Sequence, residues 1–245
     1  TATDPSDPAN YDPSTYYWNP GIKRDASSPW ARSTYTLPCI GGSYHDGTTC
    51  QDSIAGHYVD GWGQTTQTSC DAGAYQPSTA RTSCIVAQEG HYVASTGQSA
   101  QAACAAGTYQ PSTGQSACLD ADAGHYVDST GQSEQIACQV GSYNPVTAST
   151  SVDACILAAP GHAALEEGSA QETACLPGTY QPSSGQSTCV DANPGYFVSN
   201  YASTSQSPCE VGRYQPSPSQ SSCLSADAGH YVPVSAQENQ TACII

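Results

Sequence analysis

Apolar residues come singly or in runs of a few along this chain, and no segment keeps a helical period over two turns. What recurs is an aromatic position. Tyr58, Tyr75, Tyr92, Tyr109, Tyr126 and Tyr143 stand 17 residues apart, and Tyr180, Phe197, Tyr214 and Tyr231 continue the series, which Ala163 interrupts once. Most of these aromatics follow Gly-x and precede a Ser-Thr-Gly-Gln-Ser turn or a variant of it. In CAAGTYQPSTGQSAC, residues 104–118, the pattern predicts a strand over 107–110, a turn over 111–114 and a return strand over 115–118. Residues 158–166 are the only mildly helix-friendly run. In so thin a core the aromatics are expected to be the main packing groups between repeats.

The cysteines keep the same rhythm. They fall at 39, 50, 70, 84, 104, 118, 138, 155, 175, 189, 209, 223 and 243, mostly with alternating gaps of 14 and 20 residues. The sum is a 34-residue repeat, the mark of a tandem array whose units contact mainly their neighbours. Six units follow: 39–69, 70–103, 104–137, 138–174, 175–208 and 209–242, then the start of a seventh. The first is three residues short between its cysteines and the fourth three residues long, as loop changes are.

Each unit aligns with itself at 17 residues. Half A, as in 104–118, carries two cysteines. Half B, as in ADAGHYVDSTGQSEQIA, residues 121–137, carries none: Ala121 stands where Cys104 stands, and Gln135 where Cys118 stands. The alignment favours pairing inside half A: Cys39–Cys50, Cys70–Cys84, Cys104–Cys118, Cys138–Cys155, Cys175–Cys189 and Cys209–Cys223, with Cys243 left unpaired. The competing scheme pairs across half B, as in Cys50–Cys70, and leaves Cys39 over; sequence alone does not fix connectivity.

Composition explains why staples are needed. The chain has no Met and one Phe among its 245 residues, too little for one large core. Small units with thin cores are commonly held by disulfides, and each closed loop removes about 3 kcal/mol of unfolded-state entropy in the chain-entropy model. Such bonds persist in oxidising compartments, so an extracellular protein, secreted or at a cell surface, is expected. No apolar run is long enough to span a membrane, so no membrane insertion is expected in this segment. The start Thr-Ala-Thr, without Met, fits a processed form or a fragment. The formal net charge is −16, and only Lys23, Arg24, Arg32, Arg81 and Arg213 are positive. Nucleic acid is therefore not an expected partner.

CLPGTYQPSSGQSTC, residues 175–189, resembles the cysteine-rich repeat of ephrin receptors, and is similar to the first submodule of tumour-necrosis-factor-receptor repeats. The resemblance covers residues 39–245. It implies a small disulfide-rich, mostly β ectodomain: an elongated tandem array of short hairpins with local cysteine pairing. Half B departs from it, since a second cysteine pair is expected there. A repeat of this kind is a scaffold used for many purposes, so receptor function does not follow.

Residues 1–38 match no repeat. They hold Tyr11, Tyr16, Tyr17, Trp18, Trp30 and Tyr35 with three of the five cations, and read as an irregular Pro-rich arm suited to assembly. Catalytic motifs are missing, so no enzyme and no cofactor is expected. His57, His91, His125 and His162 recur every 34 to 37 residues and His230 follows two repeats later, with Tyr196 between, which spreads them along an array instead of gathering them on a metal. Asp120 and Asp122 resemble part of a calcium loop but lack the closing Glu. Asn239 opens the only N-glycosylation sequon, and Ser/Thr turns beside Pro suit O-glycans. The expected role is a structural subunit of an extracellular fibre or surface appendage, a glycoprotein self-associating head to tail through the arm. The alternative is a ligand-binding or adhesion ectodomain.

Overall fold

A computed structural model describes residues 38–244. The arm residues named above, Tyr11 to Tyr35, lie outside the described residues. The rest is a small disulfide-rich, mostly β repeat array. Twelve two-stranded antiparallel hairpins follow one another, and the one helical element among the described residues is a 3-10 turn at Val152–Ala154. The structural unit is therefore the 17-residue half, two hairpins to each cysteine repeat.

The strands are short for a local reason. In the third half A, Thr108–Tyr109 pairs with Leu119–Asp120, in the register Tyr109↔Leu119 and Thr108↔Asp120. The return strand thus lies beyond Cys118, not over the predicted 115–118. The Gln110 side chain turns back across the loop, its Nε2 donating to the Ala117 carbonyl (2.7 Å) while its Oε1 accepts from the Ser112 N–H (3.1 Å). Those loop groups are satisfied by a side chain, so they need no strand partner.

Hairpin stacks on hairpin through backbone. Between residues 104–120 and 121–137, Gly107 N–H donates to the Val127 carbonyl (2.8 Å) and Gln110 N–H to the Gln132 carbonyl (3.1 Å). Gly131 N–H reaches back to the Cys104 carbonyl (2.8 Å). The equivalent three bonds recur at every junction of the array. Glycine makes the approach possible. Gly90 has φ +73°, and a Cβ there would sit 2.1 Å from the carbonyl oxygen of Gly131, two hairpins on. Any side chain at that position would drive the stack apart.

What lies inside is small. Cys70, Cys104, Cys138, Cys175 and Cys209 alternate with Ala87, Ala121, Ala158 and Ala192 as one buried column. Val59, Gln76, Val93, Gln110, Val127, Asn144, Ala164, Gln181, Val198, Gln215 and Val232 form another. The aromatics expected to carry the packing are instead the residues just before this second column. Tyr58, Tyr75, Tyr92, Tyr109, Tyr126, Tyr143, Tyr180, Phe197 and Tyr214 are half-buried, and Tyr231 is exposed. Strand alternation explains the correction: when Val127 points inward, its neighbour Tyr126 must face outward. From the second half A on, each half-A ring lies opposite an exposed aliphatic, as Tyr75 opposes Ile85 and Tyr143 opposes Ile156.

The helix-friendly run at 158–166 is a hairpin strand, His162–Ala163, paired with Thr173–Ala174. The 3-10 turn occurs instead in the three-residue insertion of the fourth half A, capped by Ser151 Oγ accepting from the Asp153 N–H.

Candidate functional site

The two halves hold their loops by different means. In half A, disulfides join Cys39–Cys50, Cys70–Cys84, Cys104–Cys118, Cys138–Cys155, Cys175–Cys189 and Cys209–Cys223, with Cα atoms 5.6 to 5.8 Å apart. Half B puts an amide where half A has its second cysteine. Gln135 Oε1 accepts from the Asp122 N–H (2.7 Å), next to the Ala121 that replaces the first cysteine. Gln67, Gln101, Gln206 and Gln240 accept likewise from the N–H groups of Ile54, Gln88, Asn193 and Asp227. Glu172 does so with a carboxylate, from Ala159 N–H at 2.7 Å. A staple of about 3 kcal/mol thus alternates with a hydrogen bond of about 1 kcal/mol. The signal was present in the sequence: an unbroken Gln/Glu column at 67, 101, 135, 172, 206 and 240.

The array differs at its two described ends. The first hairpin closes on itself. Its shortened loop places Asp46 so that Oδ1 accepts from Thr49 N–H (2.9 Å), Thr48 Oγ1 (2.7 Å) and Thr48 N–H (2.8 Å), and Oδ2 from Gln51 Nε2 (3.1 Å). These donors, the Thr49 N–H foremost, hold the Asp46 carboxyl well below the usual carboxylate range. Gly47 N–H, whose equivalents elsewhere reach back to the preceding hairpin, bonds to Nδ1 of His45 (3.0 Å). This hairpin also shows that Tyr44, after Gly42 and Ser43, is the first member of the aromatic series; the shortened loop hid it from the 17-residue count.

A Cβ at Gly212 or Gly229 would meet nothing within 4 Å, whereas at the ten equivalent glycines it would meet the carbonyl two hairpins on. Cys243 is free and exposed, and its N–H bonds to the Gly229 carbonyl. Asn239 is exposed in the loop of the last hairpin.

The five recurring histidines open the first strand of half-B hairpins. His57, His91, His125 and His162 are half-buried and His230 is exposed. His57 Nε2 lies 3.0 Å from Ser69 Oγ, a contact within one hairpin. Among the described residues, no group of three or more His, Cys, Asp or Glu is placed to hold a metal ion. Asp122, from the calcium-like run, is held by Gln135, whose Nε2 donates to its Oδ2 (2.8 Å).

The only two cations of the described array each line a groove. Arg213 lines one of about 540 Å³ with Phe197, Ser207, Pro208, Glu210 and Ser222. Arg81 lines one of about 460 Å³ with Gln76, Ser78, Thr82 and Ser83. No described helix is long and apolar enough to cross a membrane.

Tandem hairpins, each second one closed by a disulfide, define a cysteine-rich repeat array. No family model matches the chain, and no curated protein matches it in sequence.

Proposed function

We propose that this protein is a structural subunit of an extracellular fibre or surface appendage. The observation that carries the reading is the uniform stacking. The same backbone bonds join every hairpin to the next. A contact of that heterologous, head-to-tail kind propagates instead of closing. The assembling element in this reading is the aromatic, cation-bearing arm at 1–38, seated on the last repeats of a neighbouring copy. Disulfide density supports an oxidising, extracellular setting. The exposure of Asn239 and of the Ser/Thr turns supports glycosylation there. No catalytic role is proposed.

Negative-stain electron microscopy of the native material tests this. Filaments are expected for the full chain and single particles after deletion of residues 1–38. A truncated protein that still forms filaments of unchanged repeat length refutes the arm's role.

One observation favours a second reading. The arginine-lined grooves offer cationic points on an otherwise acidic array, as a ligand-binding or adhesion ectodomain related to the receptor repeats would. Single particles from the native full-length protein would support that alternative.

A further inference from the structure

Residues that recur at the same place in every unit serve the fold, so residues that break the pattern together point to something else. Four do so around one groove, where the fifth unit meets the sixth. Phe197, the only Phe of the chain, stands where other half-B hairpins have Tyr58, Tyr92, Tyr126 and Tyr231. Pro208 stands where Ser69, Ala103, Ala137 and Ala174 precede a cysteine. Glu210 and Arg213 form an acid and base pair that other half-A hairpins lack: Asp71 goes with Ala74, Ala105 with Thr108, Gln139 with Ser142 and Leu176 with Thr179. All four line the groove of about 540 Å³, with Ser207 and Ser222.

Two neighbouring hairpins bring these residues together. Phe197 is half-buried and lies opposite Ser207, so a small polar residue faces its ring position where half-A rings face an aliphatic. Arg213 opens the first strand of the next hairpin, and its N–H donates to the Glu210 carbonyl (2.9 Å), which holds the two in one turn. At the position of Arg213, the hydroxyls of Thr108, Ser142 and Thr179 donate to the carbonyls of Ala105, Gln139 and Leu176. The longer Arg213 side chain makes no such local bond. Among the described residues, no hydrogen bond or ion pair engages the side chains of Ser207, Glu210, Arg213 or Ser222. Four polar side chains therefore line one groove without a protein partner, beside an aromatic ring.

The chemistry narrows the ligand. Arg213 supplies only donors and ionised Glu210 only acceptors, which together suit groups that both give and take hydrogen bonds, as hydroxyls do. The two charges cancel locally, and the chain carries a formal −16, so an anion is repelled at long range. The phenyl ring offers an apolar face to C–H groups. The volume lies in the range of small-molecule sites. We propose that the Phe197–Arg213 groove binds a neutral carbohydrate unit, its C–H face on the Phe197 ring and its hydroxyls bonded to Arg213 and Glu210. Ser207 and Ser222 serve further hydroxyls. The proposal rests on the second reading above, that the arginine-lined grooves take a ligand, and names the ligand for one of them. The groove at Arg81 has neither an aromatic ring nor an acidic residue and is the natural control.

NMR titration of the full-length, isotope-labelled protein tests this with maltose, cellobiose, lactose and diacetylchitobiose, and with glucuronate and inorganic sulfate as anionic probes. Each disaccharide is offered free and coupled to a carrier protein, which separates a soluble sugar from a displayed glycan; binding in either form supports the proposal. Saturable shifts of the Phe197, Glu210 and Arg213 amides are expected with at least one disaccharide and with neither anion. Glu210→Ala and Arg213→Thr install residues that another half A carries, so the hairpin keeps its fold. Each should weaken sugar binding about tenfold, the loss of one hydrogen bond to a charged group. Arg81→Gln should leave binding unchanged. Sugar shifts that survive both groove variants overturn the proposal. Binding of glucuronate or sulfate alone also overturns it, while leaving the ligand-binding reading standing. No binding by any probe overturns both.

Discussion

Half A and half B fold the same 17 residues into the same hairpin by different means. Residues 104–120 use the Cys104–Cys118 disulfide and the Gln110 brace. Residues 121–137 use the Gln135 pin and the buried side chain of Val127. One half is closed covalently and has a polar interior, and the other is closed by one hydrogen bond and has an apolar interior. The comparison teaches that the hairpin shape resides in what the two share: glycine at 107 and 124, left-handed turn residues at 114 and 131, and the bonds to the next hairpin. The closure at the loop base sets strength. Half-B hairpins are therefore the points of first opening, and the disulfides partition the array so that opening stays local.

The largest effect should come from disturbing what both halves share. Gly90→Ala puts a methyl group against the Gly131 carbonyl at a positive φ, and should cost about 3 kcal/mol or more. Gly229→Ala, equally left-handed but facing open space, should cost about 1–2 kcal/mol. Denaturant unfolding of the two variants checks the contrast. Equal costs would mean that φ alone, and not the stacking contact, fixes the glycine.

Next in size is the staple. Cys104→Ser with Cys118→Ser should cost about 3 kcal/mol and open one half A to proteases. The reverse exchange, Ala121→Cys with Gln135→Cys, should close half B covalently. It should gain about 2 kcal/mol after loss of the pin, provided the bond forms. Thiol titration and limited proteolysis report both outcomes. A transplanted pair that stays reduced would show that the two loop bases differ in geometry as well as chemistry.

Single hydrogen bonds come after that. Gln110→Ala leaves the Ala117 carbonyl and the Ser112 N–H without their partner and should cost about 1–3 kcal/mol, whereas Gln135→Ala, in the more exposed pin, should cost about 1 kcal/mol. Amide exchange at Ser112 and Asp122 separates the two. Tyr126→Ala should cost about 1 kcal/mol, because the ring is only half-buried; a much larger loss would restore the aromatics as the main packing groups.

The smallest effect concerns acid and the first hairpin. The Asp46 carboxyl is depressed by its Thr49 and Thr48 donors, so its contribution is complete above the ordinary carboxylate range. It is lost only as pH falls through the lowered value. Amide exchange at Thr48 and Thr49 should stay slow as pH falls through the ordinary carboxylate range. Asp46→Asn, which keeps an acceptor, should remove that pH dependence while largely preserving the turn.

The sequence alone determined the repeat, its length, the half-A and half-B alternation, the mostly β class and the positions where loops lengthen. These follow from spacing, because equal spacing in a tandem chain imposes equal local structure on each unit. The disulfide partners were legible as a preference, since Cys pairs within half A fit a loop closed at its base. What the tertiary structure decided was which way each side chain faces and what holds half B. Tyr126 looked like core, yet the interior holds only small or bracing residues, mainly Cys, Ala, Val and Gln with Asn144 and a few Ser; carbonyls approach glycine so closely that no ring fits between stacked hairpins. Gln135 aligned with Cys118, but its role depends on the Asp122 N–H, 13 residues earlier in the chain. Alternation along a two-residue strand and closure across a loop are properties of the folded hairpin, and a linear pattern of residue types does not specify them.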